Sequence, residues 1–359
     1  MLAYRAEDHR RGAPVSIFLA GVGDLVVTRP LRHVRDQPDD SLLHLLARAH
    51  FTVGNLEGPL TGAESGARGE ALLRGAPELM SDVVAMGVDA VSLANNHAAD
   101  PGWDSLHEMV QELELAGLIT LGVGEDAADA FQPQLQNVHG VEVAMMAATC
   151  VGRMAQHAAP DRPGIAGIRV RTRYEPDASR LEWEPATPPR TITIIEPEDR
   201  DRLLRAVKRA RDLSSFVAVT MHWGVSWAEQ PVAYQRELAH DLVEAGASVI
   251  FGSHPQTLQG VEVHRGAPIF YSLGSFVFNH SGQGRRRLPG DTAVALVEVS
   301  GDGRLASARL VLGRLDSEGE PVRAHAERAE LLAEILARSS AGWGAPVRLE
   351  DDTLKIDLG

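Results

Sequence analysis

The sequence predicts an α/β fold, and three observations carry the prediction. Short apolar runs of strand character recur along the chain, at residues 15–24, 88–94, 141–149, 216–221 and 249–252. Between several of them lie segments whose apolar residues fall near helical spacing, such as Trp103, Leu106, Val110 and Leu113. The strand-like runs close on glycine or on polar side chains, and in an open α/β sheet ligands bind at such carboxyl ends of strands.

Taken in order, residues 15–24 form an apolar strand ending in Gly23-Asp24. A helix is expected over 41–49, and a strand from 50 to 53 then delivers Asn55 and Glu57, two residues apart and so on one face. Pro77 opens a helix reaching Met86, and the next strand, 88–94, ends in Asn95-Asn96-His97-Ala98-Ala99-Asp100. A helix over 102–116 leads to a strand at 119–124. Its Gly122-Val123-Gly124 lacks the third glycine of a dinucleotide loop, so it reads as a tight turn and no organic cofactor is expected.

The strand 141–149 ends at Cys150. Residues 155–197 are rich in proline, arginine and acids without clean periodicity, and read as an irregular insertion, either a lid or a surface excursion. After a helix over 201–213, the strand 216–221 delivers His222-Trp223-Gly224. A helix over 232–245 precedes the strand 249–252, which delivers Ser253-His254. A strand and glycine turn occupy 267–278. Residues 291–299 and 304–312 flank Gly301-Asp302-Gly303 as an antiparallel pair. The chain thus divides into a charged tail at 1–14, one domain over 15–315, and a C-terminal helix with an acidic tail at 316–359.

Composition narrows the partners. Of 359 residues 44% are hydrophobic, and 35 basic against 49 acidic side chains leave a net charge of -14. That balance opposes nucleic acid or another long polyanion, the one basic run being Arg285-Arg286-Arg287. No apolar run approaches the roughly 18 residues that span a bilayer, and the start of the chain lacks the apolar stretch of a signal peptide. With a single cysteine, a cytoplasmic protein without membrane contact is expected, its oligomeric state left open.

Five strand ends therefore carry candidates: Asp24, Asn55 with Glu57, Asn95 to Asp100, His222 and His254. In this order they resemble the CapA family of poly-γ-glutamate capsule synthesis, which belongs with the calcineurin-like metallophosphoesterases. The resemblance also rests on Gly252-Ser253-His254-Pro255 and Tyr271-Ser272-Leu273-Gly274, and runs from about residue 15 to 278. It implies two packed, mixed β-sheets flanked by helices, with the site at one rim. The chain departs from the phosphoesterase pattern at Val26 and Gln256, where histidines are expected, and from the CapA pattern at Ser226 and Ser275, where Glu and Asn are expected.

Those departures argue against a two-metal centre, and one divalent ion or none is expected. Asp24, Glu57 and Asn96 are its candidate ligands. Being oxygen-rich, they favour Ca²⁺, Mn²⁺ or Mg²⁺ over Zn²⁺. His97 with Asp100, and His222 or His254 with Asp24 or Asp291, are the candidate acid–base pairs. Within the family, the chain looks most like a peptide epimerase of lasso-peptide biosynthesis. Such an enzyme inverts the Cα of the C-terminal tryptophan of a ribosomal precursor peptide by removing and returning a proton. A metal-dependent phosphoesterase, a CapA-type enzyme of poly-γ-glutamate synthesis and a non-catalytic binding module are the alternatives.

Overall fold

The structure is a computed structural model and describes residues 16–36, 38–62, 73–280, 290–343, 347–350 and 352–359. The tail at 1–14 and the basic run Arg285 to Arg287 lie outside the described residues.

Two large mixed sheets form the body. The first has ten strands, with Ile17–Val26 at its centre. On one side Ile17–Val26 pairs in parallel with Phe51–Leu56, which leads to Ala90–Ser92 and Ile119–Leu121. On the other it pairs antiparallel with Asp291–Val299, and its end pairs with Ser275–Phe278. The second sheet has six strands, among them Val141–Thr149, Phe216–His222 and Val249–Ser253, side by side and parallel.

Alternation along the central strand explains the layering. Ile17 and Leu19 point into the hydrophobic cluster shared with the second sheet, whereas Ala20 and Val22 point to the opposite cluster. The second cluster is closed by the helices Met80–Ala85 and Trp103–Leu115, and the far face of the six-stranded sheet by Pro197–Leu213 and Ala233–Ala245. Helix, sheet, sheet, helix is the resulting order, an α/β architecture of two packed mixed sheets as expected.

Three sequence expectations need correction. Residues 155–197 are not irregular throughout, because Val170–Glu175 and Arg190–Ile195 form a two-stranded antiparallel sheet in continuous register. The C-terminal tail is not an appendage. Val347–Glu350 and Thr353–Ile356 extend the ten-stranded sheet by pairing onto Leu305–Leu315, burying Leu354 and Ile356. The helix expected over 41–49 shrinks to Leu43–Leu46. Among the described residues no helix is long and apolar enough to cross a membrane.

Candidate functional site

The carboxyl ends of strands from both sheets meet at one rim. Asp24 lies two residues before the end of its strand and is fully buried. Gly23 before it is required by close approach, since a Cβ there would stand 1.8 Å from the Gly274 carbonyl oxygen. That oxygen accepts the Asp24 N–H at 3.1 Å, which pins the backbone where the acid is presented.

Asp24 accepts from the Asn55 amide at 2.8 Å and from the His254 backbone N–H at 3.2 Å, so it joins both sheets. The same Asn55 nitrogen stands 3.1 Å from His222 Nδ1, and Ser253 Oγ stands 2.9 Å from it. On the other edge of the ring, Nε2 lies 2.8 Å from Asn96 Oδ1 and 3.8 Å from Glu57 Oε1. An amide nitrogen only donates, so with the amides oriented this way and no ion bound Nδ1 accepts and Nε2 carries the proton donated to Asn96; in the other tautomer Nδ1–H donates to Ser253 Oγ and the Nε2 lone pair is free to ligate.

His97 and Asp100 form a second unit, with Nδ1 to Oδ2 at 2.8 Å. Asn95 holds the turn that presents them. Its Oδ1 accepts the N–H groups of His97 and Ala98 at 3.0 and 2.8 Å, while its Nδ2 donates to Asn55 Oδ1 and the Leu56 carbonyl. His254 packs its ring edge-on to His222, centroids 4.8 Å apart, from a backbone φ of 93° that a non-glycine residue adopts only under constraint.

Burial sets the protonation states. It raises the Glu57 carboxyl well above its ordinary value, and the Asp24 charge adds to the effect. Burial also raises Asp24 to about 6 against the opposing hydrogen bonds of Asn55, His254 and Ser253. The His222 imidazole is pushed well below its usual range by burial, then by His254 and His97, and His254 falls to about 4 by burial and His97. Both rings are neutral at pH 7, the state in which imidazole ligates metals or accepts protons.

The donor atoms of Glu57, His222 and His254 lie within 4.8 Å of one another. Two of these side chains each carry an atom buried without a hydrogen-bond partner, Glu57 Oε2 and His254 Nδ1. An orphaned buried acceptor is costly, and a divalent ion would satisfy both, so the residues fit a mononuclear centre of two imidazoles and one carboxylate. Of the ligands expected from sequence, Glu57 belongs to this group. Asp24 and Asn96 instead flank His222, where they can orient the ring.

All seven candidate residues thus gather at one rim, and the pairings resolve. Asp24 is the acid beside His222, at 3.6 Å. Asp291 is not a partner of either histidine, being ion-paired with Arg328. Two contributors escaped the sequence reading of roles: Ser253, visible only as the residue preceding His254, and Gln156, whose amide lies 3.4 Å from Asp100 Oδ1. Cys150 lies beside the rim, its N–H donating to the His222 carbonyl, and burial pushes its thiol up. It is suited to packing rather than to proton donation.

Fold and rim together describe an α/β protein with buried carboxylates, amides and imidazoles converging at the ends of two sheets. The chain belongs to the bacterial capsule synthesis protein PGA_cap family, whose pattern matches residues 18–280. It is 26% identical to the PGA biosynthesis protein CapA of Bacillus subtilis over 347 residues, 94% of this chain and 81% of that one. An uncharacterized protein of Sinorhizobium fredii is 28% identical over 303 residues, and the match spans 73% of this chain and 66% of the relative. A probable polyglutamine synthesis accessory protein of Mycobacterium tuberculosis is 30% identical over 235 residues, or 64% of this chain and 56% of that protein.

Proposed function

We propose that this protein is an acid–base enzyme acting at an amide-linked unit of a peptide-type chain, with one divalent ion held by Glu57, His222 and His254. The observation that carries the reading is the separation of the rim into two sets. Glu57, His222 and His254 crowd their donor atoms together, while His97 and Asp100 form an independent pair. When bound, the ion supplies Lewis-acid polarisation of a carbonyl. His97, held in one tautomer by Asp100, takes a proton from the attacking water and gives it to the departing amine, so that the amide C–N bond is exchanged for a C–O bond. Two imidazoles in the donor set favour Mn²⁺ or Zn²⁺ over the harder Ca²⁺ and Mg²⁺ expected from sequence. The substrate is then a γ-glutamyl or ordinary peptide chain, in keeping with the names of the CapA relatives.

The second reading is epimerisation of a ribosomal precursor peptide at Cα. It is favoured by the presence of two imidazoles, His97 and His254, neither engaged in the Asn55 and Asn96 network that clasps His222. Neutral His254 would remove the Cα proton from one face, and His97 would deliver one to the other. This route needs His254 free, so metal occupancy and epimerisation compete for the same ring.

Incubating the protein in heavy water, with and without Mn²⁺, with a γ-glutamyl oligomer and with a tryptophan-ended peptide separates the two readings. Metal-dependent release of a new amine supports the first. Deuterium at Cα without bond cleavage supports the second, and neither of these together with hydrolysis of an added chromogenic phosphodiester to its phenol and phosphomonoester would sink both.

A further inference from the structure

A cavity of about 300 Å³ lies between residues 154–169 and the first turns of the helix Pro197–Leu213, a volume at the small end of ligand pockets. Arg162, Arg169 and Arg202 line it. They come from three places in the chain: the turn after Pro160, the residue before the strand Val170–Glu175, and the helix. In a chain of net charge -14, three guanidiniums at one cavity reverse the local sign.

Each guanidinium is held by bonds that use only part of it. Arg162 Nη2 donates to the His157 carbonyl at 2.9 Å and to the Met154 carbonyl at 3.4 Å. Arg169 grips both oxygens of Asp199 through Nε and Nη2, at 2.7 and 3.1 Å. Arg202 Nη1 reaches Asp199 Oδ1 at 3.3 Å, and its guanidinium carbon lies 5.8 Å from the centre of the Phe131 ring. Among the described residues these bonds leave Nη1 of Arg162 and Arg169 and Nη2 of Arg202 as further donors. Donors already fixed in place lose little freedom on meeting a ligand.

The two carboxylates at the cavity do not cancel this surplus. Asp199 is buried and spent on Arg169 and Arg202, while the Glu198 side chain is 87% exposed, where water screens it. His157 lines the same cavity, 9% exposed, with its Nε2 buried and unpartnered. Its ring packs so closely that a Cβ at Gly167 would stand 2.1 Å from it.

The arrangement selects among anions. A carboxylate is matched by a single guanidinium in a two-bond pair, as Arg169 and Asp199 show. A phosphoryl group offers three acceptor oxygens or more and takes donors from several directions at once. We propose that this cavity binds inorganic phosphate or the phosphoryl group of a small molecule, at a position separate from the metal site at the rim. The two positions share a loop, because Gln156, which meets Asp100, lies between the residues whose carbonyls hold Arg162.

Calorimetric titration of the full-length protein with inorganic phosphate, glycerol 3-phosphate and acetate tests it, in EDTA so that no ion at the rim recruits the anion. One phosphate per chain is expected, bound about tenfold more tightly than acetate and more weakly as salt rises. Arg162→Gln and Arg202→Gln should each weaken it by about tenfold. Arg180→Gln, which removes the same charge from an exposed pair with Glu184, should leave it unchanged. Within that outcome, tighter glycerol 3-phosphate would identify a phosphorylated organic molecule as the ligand, and equal or weaker binding would identify free phosphate. No saturable binding, acetate bound as tightly as phosphate, or affinity unchanged in both cavity variants with folds intact by circular dichroism would overturn the proposal. Neither metal nor turnover enters the readout, so the result is independent of the catalytic reading.

Discussion

Replacing Glu57 by Gln separates the cost of burying this carboxyl from its use. Glu57 is 1% exposed, its Oε2 has no partner, and burial holds its pKa well above the ordinary 4.5. In the metal-free protein the folded state therefore binds a proton that the unfolded state releases. Stability is lost as pH rises from about 4.5 toward the raised folded value. Glutamine mimics the protonated acid in size and neutrality, so the metal-free variant should match wild type near pH 4.5 and become relatively more stable as pH rises. Metal should reverse the order. An ion at 100 times its dissociation constant stabilises the wild type by about 2.7 kcal/mol, on the order of 5 °C in melting temperature. The variant, lacking the anionic ligand, should show little of that shift. Thermal melts in EDTA and in Mn²⁺ or Zn²⁺ across pH 5 to 8 provide the comparison. An equal metal-induced shift in both proteins would refute the assignment of Glu57 as a ligand.

Three further outcomes are expected. Asp100→Asn should leave the melting temperature nearly unchanged while lowering turnover by about 10² to 10⁴-fold, and steady-state rates on the transformed substrate would expose any smaller effect. Asp199→Ala should cost about 2 to 3 kcal/mol in urea unfolding, because the buried carboxylate receives the Arg169 backbone N–H and guanidinium and a bond from Arg202. Burial would raise the Asp199 pKa, but those bonds hold it below 3.8, so its contribution is present above that value and lost as pH falls through the folded one. Deleting residues 347–359 should cost about 3 to 6 kcal/mol from Leu354 and Ile356 alone. Unchanged unfolding would mean that the pairing onto Leu305–Leu315 carries no stability.

The strands that build the site were legible because each is buried on both faces and so reads as a continuous apolar run, as in Val141–Thr149 and Phe216–His222. Their polar termini identified all seven candidate residues at the rim. What the pattern could not carry was partnership across elements. Whether Asp24 or Asp291 serves His222 depends on a bulged register at Asp24 and on the Arg328 ion pair, neither of which leaves a local trace. The sheet of Val170–Glu175 and Arg190–Ile195 was missed because Arg171, Thr172, Arg173 and Tyr174 are all exposed, leaving no apolar alternation to read. The ligand set shifted from oxygen toward nitrogen for a similar reason. His254 approaches Glu57 only through a strained backbone that no sequence spacing announces.

The central claim is a single metal position built from Glu57, His222 and His254 beside a separate His97–Asp100 pair. Metal analysis of the protein equilibrated with Mn²⁺ or Zn²⁺, wild type against His254→Ala, tests it most directly. One ion per chain is expected in the wild type, none in His254→Ala, and one retained in His97→Ala. Two ions per chain, or one that survives loss of His254, would contradict it.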